Sequence, residues 1–212
     1  MSRPDVVIER GLPDDQRAAA ATIFNEAFAE NLRLAIPGEQ ERLAFLEQAF
    51  KAENLLIALC DDELMGLAGL SSHNGAYVGG SVDRSMSWRS LRDQLGAAGA
   101  VRAAIGLEFG AHKPEPGELY IDGIAVAATA RGLGIGTMLL AETAAIASRE
   151  SFRWVRLEVV DTNPRAQQLY ERVGYRVTKV DRFPYLRWLL GFGGSVTMEL
   201  DASGDAPGRE PT

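Results

Sequence analysis

The sequence predicts an α/β chain, strands alternating with helices, with a helical insertion ahead of a central strand. Three observations carry that prediction. Apolar residues recur at alternate positions in some stretches and at helical spacing in others. The run from Glu118 to Arg149 reads as strand, short loop, glycine-rich turn and helix. The segment from Ser71 to Gly117 is too long for a structureless loop inside a compact domain.

Val6 to Arg10 forms the first strand. Gly11-Leu12-Pro13-Asp14-Asp15 opens a helix, because proline and acids suit a helix start. That helix runs to about Asn31, with Ile23, Phe24, Ala27 and Phe28 on one face. Pro37-Gly38 breaks it, and a second helix spans about Glu39 to Ala52 on Leu43, Leu46 and Phe50. Asn54 to Cys60 is an apolar strand. Asp61-Asp62-Glu63 turns the chain, and Leu64 to Leu70 returns as the other arm of a hairpin. Two stretches between Ser71 and Gly117, about 86–95 and 101–109, have helical spacing and read as an inserted lid.

The central unit follows. Leu119 to Val126 is rich in Ile, Val and Tyr, as strands are. Gly132, Gly134 and Gly136 alternate, so their peptide N–H groups lie bare with no Cβ to block approach. The next helix puts Ile135, Leu139, Thr143 and Ile146 on one face. Free N–H groups at the positive end of a helix dipole make an anion site, and Arg131 adds a full charge at its lip. The guest this implies is a phosphate or pyrophosphate. The dinucleotide fingerprint Gly-x-Gly-x-x-Gly does not fit, since the third glycine comes one residue early. Nor does a Walker loop, since no lysine precedes Thr137.

Beyond it, Trp154 to Val160 alternates as a strand, Asn163 caps a helix that starts on Pro164, and Gly174 ends that helix. Ala166, Leu169, Tyr170 and Val173 share its face. Tyr175 to Val180 and Ser195 to Leu200 are the closing strands. Between them, Arg182 to Phe192 is apolar for a loop. It reads as a packed flap, a homodimer contact, or an acceptor wall built on Phe183, Tyr185 and Trp188. One domain is expected over 1–201, with 71–117 inserted and a disordered Gly-, Pro- and acid-rich tail at 202–212.

Composition narrows the function. The formal net charge of -7 argues against a broad nucleic-acid surface and is compatible with a cationic amine as partner. Cys60 is the one cysteine, which excludes an intrachain disulfide, and its apolar strand makes it a buried small hydrophobe. His73 and His112 lie in polar stretches and read as solvated; two histidines offer no metal-ligand spacing, so no metal is expected. No apolar leader and no run of membrane length is visible, so a cytoplasmic protein without membrane contact is expected.

Arg131-x-x-Gly134-x-Gly136 follows a strand ending Ile124-Ala125-Val126. Asn163-Pro164-x-Ala166-x-x-Leu169-Tyr170-x-x-x-Gly174-Tyr175 lies downstream. Together they resemble the two signatures of the GNAT family of acyl-CoA N-acyltransferases. The element order from Val6 to Leu200, apart from the insertion, is similar to that family's order. The resemblance implies a GNAT-like twisted mixed β-sheet flanked by helices on both faces. Its two central parallel strands splay apart to receive the pantetheine arm. It further implies acetyl-CoA as cosubstrate and direct attack by an amine of a small molecule or peptide.

Roles follow from the same resemblance. Ile124, Ala125 and Val126 would offer backbone groups to pantetheine, one N–H polarising the thioester carbonyl. Arg131, Gly132, Leu133, Gly134, Ile135, Gly136 and Thr137 would hold the pyrophosphate. Asn163 would lie near the cofactor arm as well as capping its helix. Tyr170 is the expected general acid, with a core tyrosine as the alternative; a phenol of pKa ~10 would protonate a thiolate of pKa ~8.5. Asp122 is the expected base, mid-strand on a face shared with Glu118, Tyr120 and Val126. Glu118 is the other acid, read as an exposed strand start. A noncatalytic acyl-CoA-binding module is the rival, keeping the turn with no need for Tyr170 or Asp122.

Overall fold

The computed structural model describes residues 5–78, 81–82, 112–187 and 191–203. Its strands are β1 (Val6–Arg10), β2 (Leu55–Cys60), β3 (Glu63–Ser72), β4 (Glu118–Val126), β5 (Trp154–Val160), β6 (Arg176–Arg182) and β7 (Gly194–Asp201). They form one sheet in the order β1-β2-β3-β4-β5-β7-β6. Every neighbouring pair is antiparallel except β4 and β5, which run parallel. The helices are α1 (Arg17–Ala35), α2 (Glu39–Ala49), α3 (Ile135–Arg149) and α4 (Pro164–Arg172).

Two apolar cores lie on opposite faces of the sheet. Leu55 and Ile57 of β2 pack with Ala20, Phe24, Phe45 and Leu46 of α1 and α2. Leu56 and Ala58 point the other way, into Ile135, Leu139 and Ile146 of α3. A strand covered on both faces reads as continuous apolar sequence, which is what Leu55 to Ala58 shows. Each such fully buried side chain contributes about 1.5–3 kcal/mol by removal from water. Between β2 and β3, Asp61 and Asp62 take φ of 49° and 61°, the left-handed pair a two-residue hairpin turn demands.

Several boundaries differ from the sequence reading. The first helix opens with a 3-10 turn, Asp14–Gln16, and α1 proper starts at Arg17. Arg17 ties this start to Asp14 at 2.9 Å and to the carbonyls of Glu47 in the last turn of α2 and Phe50 just beyond it. The α1–α2 corner rests on a buried cation that apolar spacing did not announce. Arg42, 2% exposed, donates to Asn25 Oδ1 at 2.8 Å and to the carbonyls of Ile36 and Pro37. Cys60 is half-buried at the strand end instead of fully buried. β3 continues through Ser72, so Ser71 is a strand residue and not the start of the insertion. The helices expected at 86–95 and 101–109 lie outside the described residues, as do Trp188 and positions 204–212. Among the described residues no helix is long and apolar enough to cross a membrane.

Candidate active site

The parallel pair at the centre of the sheet is only half zipped. β4 and β5 pair from Glu118↔Trp154 to Ile121↔Leu157. Beyond that point β4 runs on to Val126 and β5 to Val160 without pairing each other. On their outer sides both stay zipped, β4 to β3 as far as Gly66↔Val126 and β5 to β7 as far as Val160↔Ser195. The inner edge of Ile124, Ala125 and Val126 therefore faces a gap, where an extended ligand can add its own amide hydrogen bonds.

The glycine turn closes one end of that gap. The Ala127 N–H donates to the Met65 carbonyl at 2.9 Å, then a 3-10 turn, Ala128–Ala130, leads to Arg131. Gly132 and Gly134 take φ of 84° and 89°, which L side chains resist. A Cβ at either would meet nothing within 4 Å, so both glycines border open space. Gly134 caps α3 without a side-chain partner. The Met138 amide bonds back to the Gly134 carbonyl at 3.0 Å. The N–H groups of Ile135, Gly136 and Thr137 ahead of it are the unpaired donors of a helix start. Gly136 has a different role. A Cβ there would press on Leu169 of α4 at 3.4 Å and reach Val126 of β4 at 4.0 Å. Turn, strand end and α4 thus converge at Gly136. Arg131 is exposed, and its Nε donates to the Val126 carbonyl at 3.3 Å, which pins the guanidinium beside the turn.

Asp122 sits where the strands part, for a reason alternation missed. The β3–β4 register slips, pairing Gly69 with Gly123 but Leu70 with Ile121. Asp122 is the extra residue of a β-bulge. The bulge inverts the strand faces. Leu119, Ile121, Ile124 and Val126 all pack on the α3 side, while Ala125 joins the α1 core. Val126 therefore does not share a face with Asp122, correcting the alternation argument. The Asp122 carboxylate accepts from the Ser71 hydroxyl at 3.0 Å and from the Ser81 N–H at 2.7 Å.

Glu118 is likewise not the exposed strand start that the sequence suggested. It is fully buried. Its carboxylate accepts from the Glu115 N–H and from Arg156, both at 3.0 Å, and lies 2.7 Å from His112 Nε2. Arg156 continues to Glu199 at 2.7 Å. Burial pushes the Glu118 carboxyl up, but the bonds from His112 and Glu115 and the charges of His112 and Arg156 outweigh it. The net result lies below the ordinary value. His112, expected to be solvated, is pinned between Glu118 and the Tyr120 ring, centroids 4.1 Å apart. The sequence signal for this network was Arg156, a cation inside an apolar strand that must find a counter-charge.

Tyr170 lies half-buried on α4, its ring 6.0 Å from that of Tyr175. Burial pushes the Tyr170 phenol up to about 12. Tyr175 is raised further by burial and by Tyr170, and its buried hydroxyl has no hydrogen-bond partner among the described residues. Asn163 Oδ1 accepts from the Ala166 N–H at 3.2 Å, so its side chain caps α4 as the sequence predicts. Of the aromatic flap, Phe183 stacks edge-on against Phe192 at 5.7 Å, while Tyr185 is 72% exposed.

The site thus joins a sheet that parts between β4 and β5, a glycine turn at the start of α3 and a carboxylate at the fork. The chain belongs to the acetyltransferase (GNAT) family, whose model matches residues 21–175. Members of that family use acetyl-CoA. Solved structures share the fold. One acetyltransferase superposes with a TM-score of 0.61 at 18% identity, over 92% of this chain and 99% of its own. The ribosomal-protein-S18-alanine N-acetyltransferase from Escherichia coli gives 0.55 at 16%, over 97% and 99%. A GCN5-related N-acetyltransferase from Kribbella flavida gives 0.59 at 17%, over 92% and 97%. No protein of curated function matches the sequence.

Proposed function

We propose that the chain transfers the acetyl group of acetyl-CoA to an amine, by direct attack within a ternary complex. The observation that carries this reading is the position of the glycine turn. Unpaired N–H groups at the start of α3 open onto the gap between β4 and β5. In this reading Arg131 to Thr137 hold the diphosphate by amide hydrogen bonds and the helix dipole. Ile124, Ala125 and Val126 hold the pantetheine amides along their free edge, and a β4 N–H polarises the thioester carbonyl.

Asp122 receives the proton that the attacking amine loses. Tyr170, a neutral phenol at neutral pH, donates a proton to the leaving thiolate as the C–S bond breaks. Asn163 is the remaining proposed contact of the cofactor arm, through groups not used by its cap. The acceptor is an amine of a small molecule or peptide, and a cytoplasmic setting fits the lone Cys60.

Thiol release from acetyl-CoA across a panel of amines tests the reading, with Arg131→Ala as control. Amine-dependent release that falls in the variant supports it. Acetyl-CoA binding with no release toward any amine would instead favour a noncatalytic acyl-CoA-binding module.

A further inference from the structure

Aromatic rings of α1 stand at the tip of the gap between β4 and β5. The two strands stop pairing at Ile121↔Leu157, so an extended ligand running from Val126 toward Gly123 meets a closed sheet ahead of it. On the α3 side the same point is filled by Ile121 and Leu157, 3% and 2% exposed, inside the apolar core. The α1 side is the remaining direction, and Gly123 decides what stands there.

Gly123 pairs with Gly69 across β3 and β4, beside the bulge at Asp122. Two facing glycines bare a patch of sheet where two side chains would ordinarily rise together. Both halves of that patch are taken. A Cβ on Gly69 would collide with the Ser81 side chain, and a Cβ on Gly123 would lie 3.0 Å from Cζ of Phe28 and 3.4 Å from Cε2 of Phe24. The two rings thus rest directly on the β4 backbone, at the residue just before the free edge of Ile124 to Val126. They are braced from behind. Phe24 lies 4.5 Å from Phe28, ring centre to ring centre, and meets Phe50 edge-on at 5.6 Å. Phe24 and Phe50 are buried, whereas Phe28 is half-buried and keeps part of its ring for a ligand.

We propose that Phe28 is the wall of the acyl pocket and fixes its depth, so that the site takes an acetyl group and rejects longer acyl chains. The inference rests on the acetyltransferase reading for the course of the pantetheine arm. In that reading the thioester carbonyl lies at the β4 N–H groups next to Gly123, and the acetyl methyl comes up to the Phe28 ring. A butyryl chain would need the space that the ring occupies. The ring cannot step aside cheaply, because Phe24 and Phe50 are packed behind it and a close-packed core resists added methylenes. Selection on one methylene against such a wall is worth about 10–200-fold.

Calorimetry on the full chain with coenzyme A, acetyl-CoA and butyryl-CoA tests the wall without any acceptor. Wild-type protein is expected to bind butyryl-CoA at least about 10-fold more weakly than acetyl-CoA. Phe28→Ala should shrink that ratio by about 10-fold, since the space it opens buries the added methylenes. Phe28→Leu, which keeps more of the packing, should shrink it by less and serves where the alanine variant fails to melt cooperatively. Phe50→Leu loosens the same aromatic stack away from Gly123 and should leave the ratio at its wild-type value. Equal wild-type binding of the two thioesters overturns the proposal, as does a ratio unmoved in both Phe28 variants or moved as far by Phe50→Leu. Those results leave acetyl-CoA binding in place and strike the wall alone. A wild-type protein that binds none of the three ligands sinks the acetyltransferase reading, and the wall with it.

Discussion

Tyr170 packs against Tyr175 on the flank of the gap, and burial alone lifts its phenol to about 12. A phenol so raised is protonated at neutral pH, as a free phenol is, but it is the weaker acid, so its proton passes only as the thiolate charge develops beside it. Replacing it by Phe keeps the packing and removes the proton. Tyr170→Phe is expected to lower kcat by ~10²–10⁴, the usual worth of general acid catalysis, with acetyl-CoA affinity unchanged. Steady-state kinetics beside calorimetry read the two separately, and an unchanged kcat would remove Tyr170 from the mechanism. The same group has a pH signature. Its folded value lies above the ordinary 10.0, so the unfolded chain ionises first. The stability it contributes is intact below pH 10.0 and is lost as pH rises toward about 12. Denaturation midpoints should fall across that window in wild-type protein and fall less in Tyr170→Phe, with Tyr175 and Tyr77, both raised by burial, contributing to the remainder.

Glu118 shows the opposite sign. Its folded value lies below the ordinary 4.5, so its stabilisation is present above pH 4.5 and is lost as acid protonates the folded carboxylate. Glu118→Ala removes one partner of a buried ion pair and is expected to cost about 3–5 kcal/mol. The acid limb of the stability profile should flatten in the variant. A variant as stable as wild type would show that Arg156 and Glu199 hold the strands without it.

At the scale of elements, the glycine turn is the part most open to a backbone test. Gly134 has φ of 89° with no atom within 4 Å of a built Cβ. Gly134→Ala therefore meets no clash and pays only the left-handed conformation, about 1–2 kcal/mol. Its larger effect should be on acetyl-CoA affinity, because the new methyl stands where the diphosphate would approach. Chemical denaturation and calorimetry measured on the same variant separate the two, and an unaltered affinity would contradict the assigned turn. This element was legible in the sequence because its determinants are local: alternating glycines, an adjacent arginine and an apolar helix face. The bulge at Asp122 was not. Simple alternation carried Val126 onto the wrong face, since a register slip depends on Gly69 in a strand far away in sequence. Ser71 and Ser81 were lost for the same reason, both sitting in a stretch read as insertion.

At the scale of the whole molecule, strand and helix order was legible across the described residues, and the half-zipped β4–β5 pair matches the splay that the family resemblance implies. What was not legible is what joins distant parts through buried polar atoms. Arg42 with Asn25 holds the α1–α2 corner, and Glu118 with His112, Arg156 and Glu199 spans β4, β5 and β7. No periodicity marks such pairs, because each partner looks like a surface residue until the fold buries it. A ligand that binds only the folded chain stabilises it, so acetyl-CoA at about 100 times its Kd should add roughly 2.7 kcal/mol.

The most direct test is a crystal structure of the protein grown with acetyl-CoA. The diphosphate should lie on the N–H groups from Gly132 to Thr137 beside Arg131, with the pantetheine arm along Ile124 to Val126 and the acetyl group near Tyr170 and Asp122. Acetyl-CoA bound elsewhere, or a glycine turn left bare while β4 and β5 close over the gap, would contradict it.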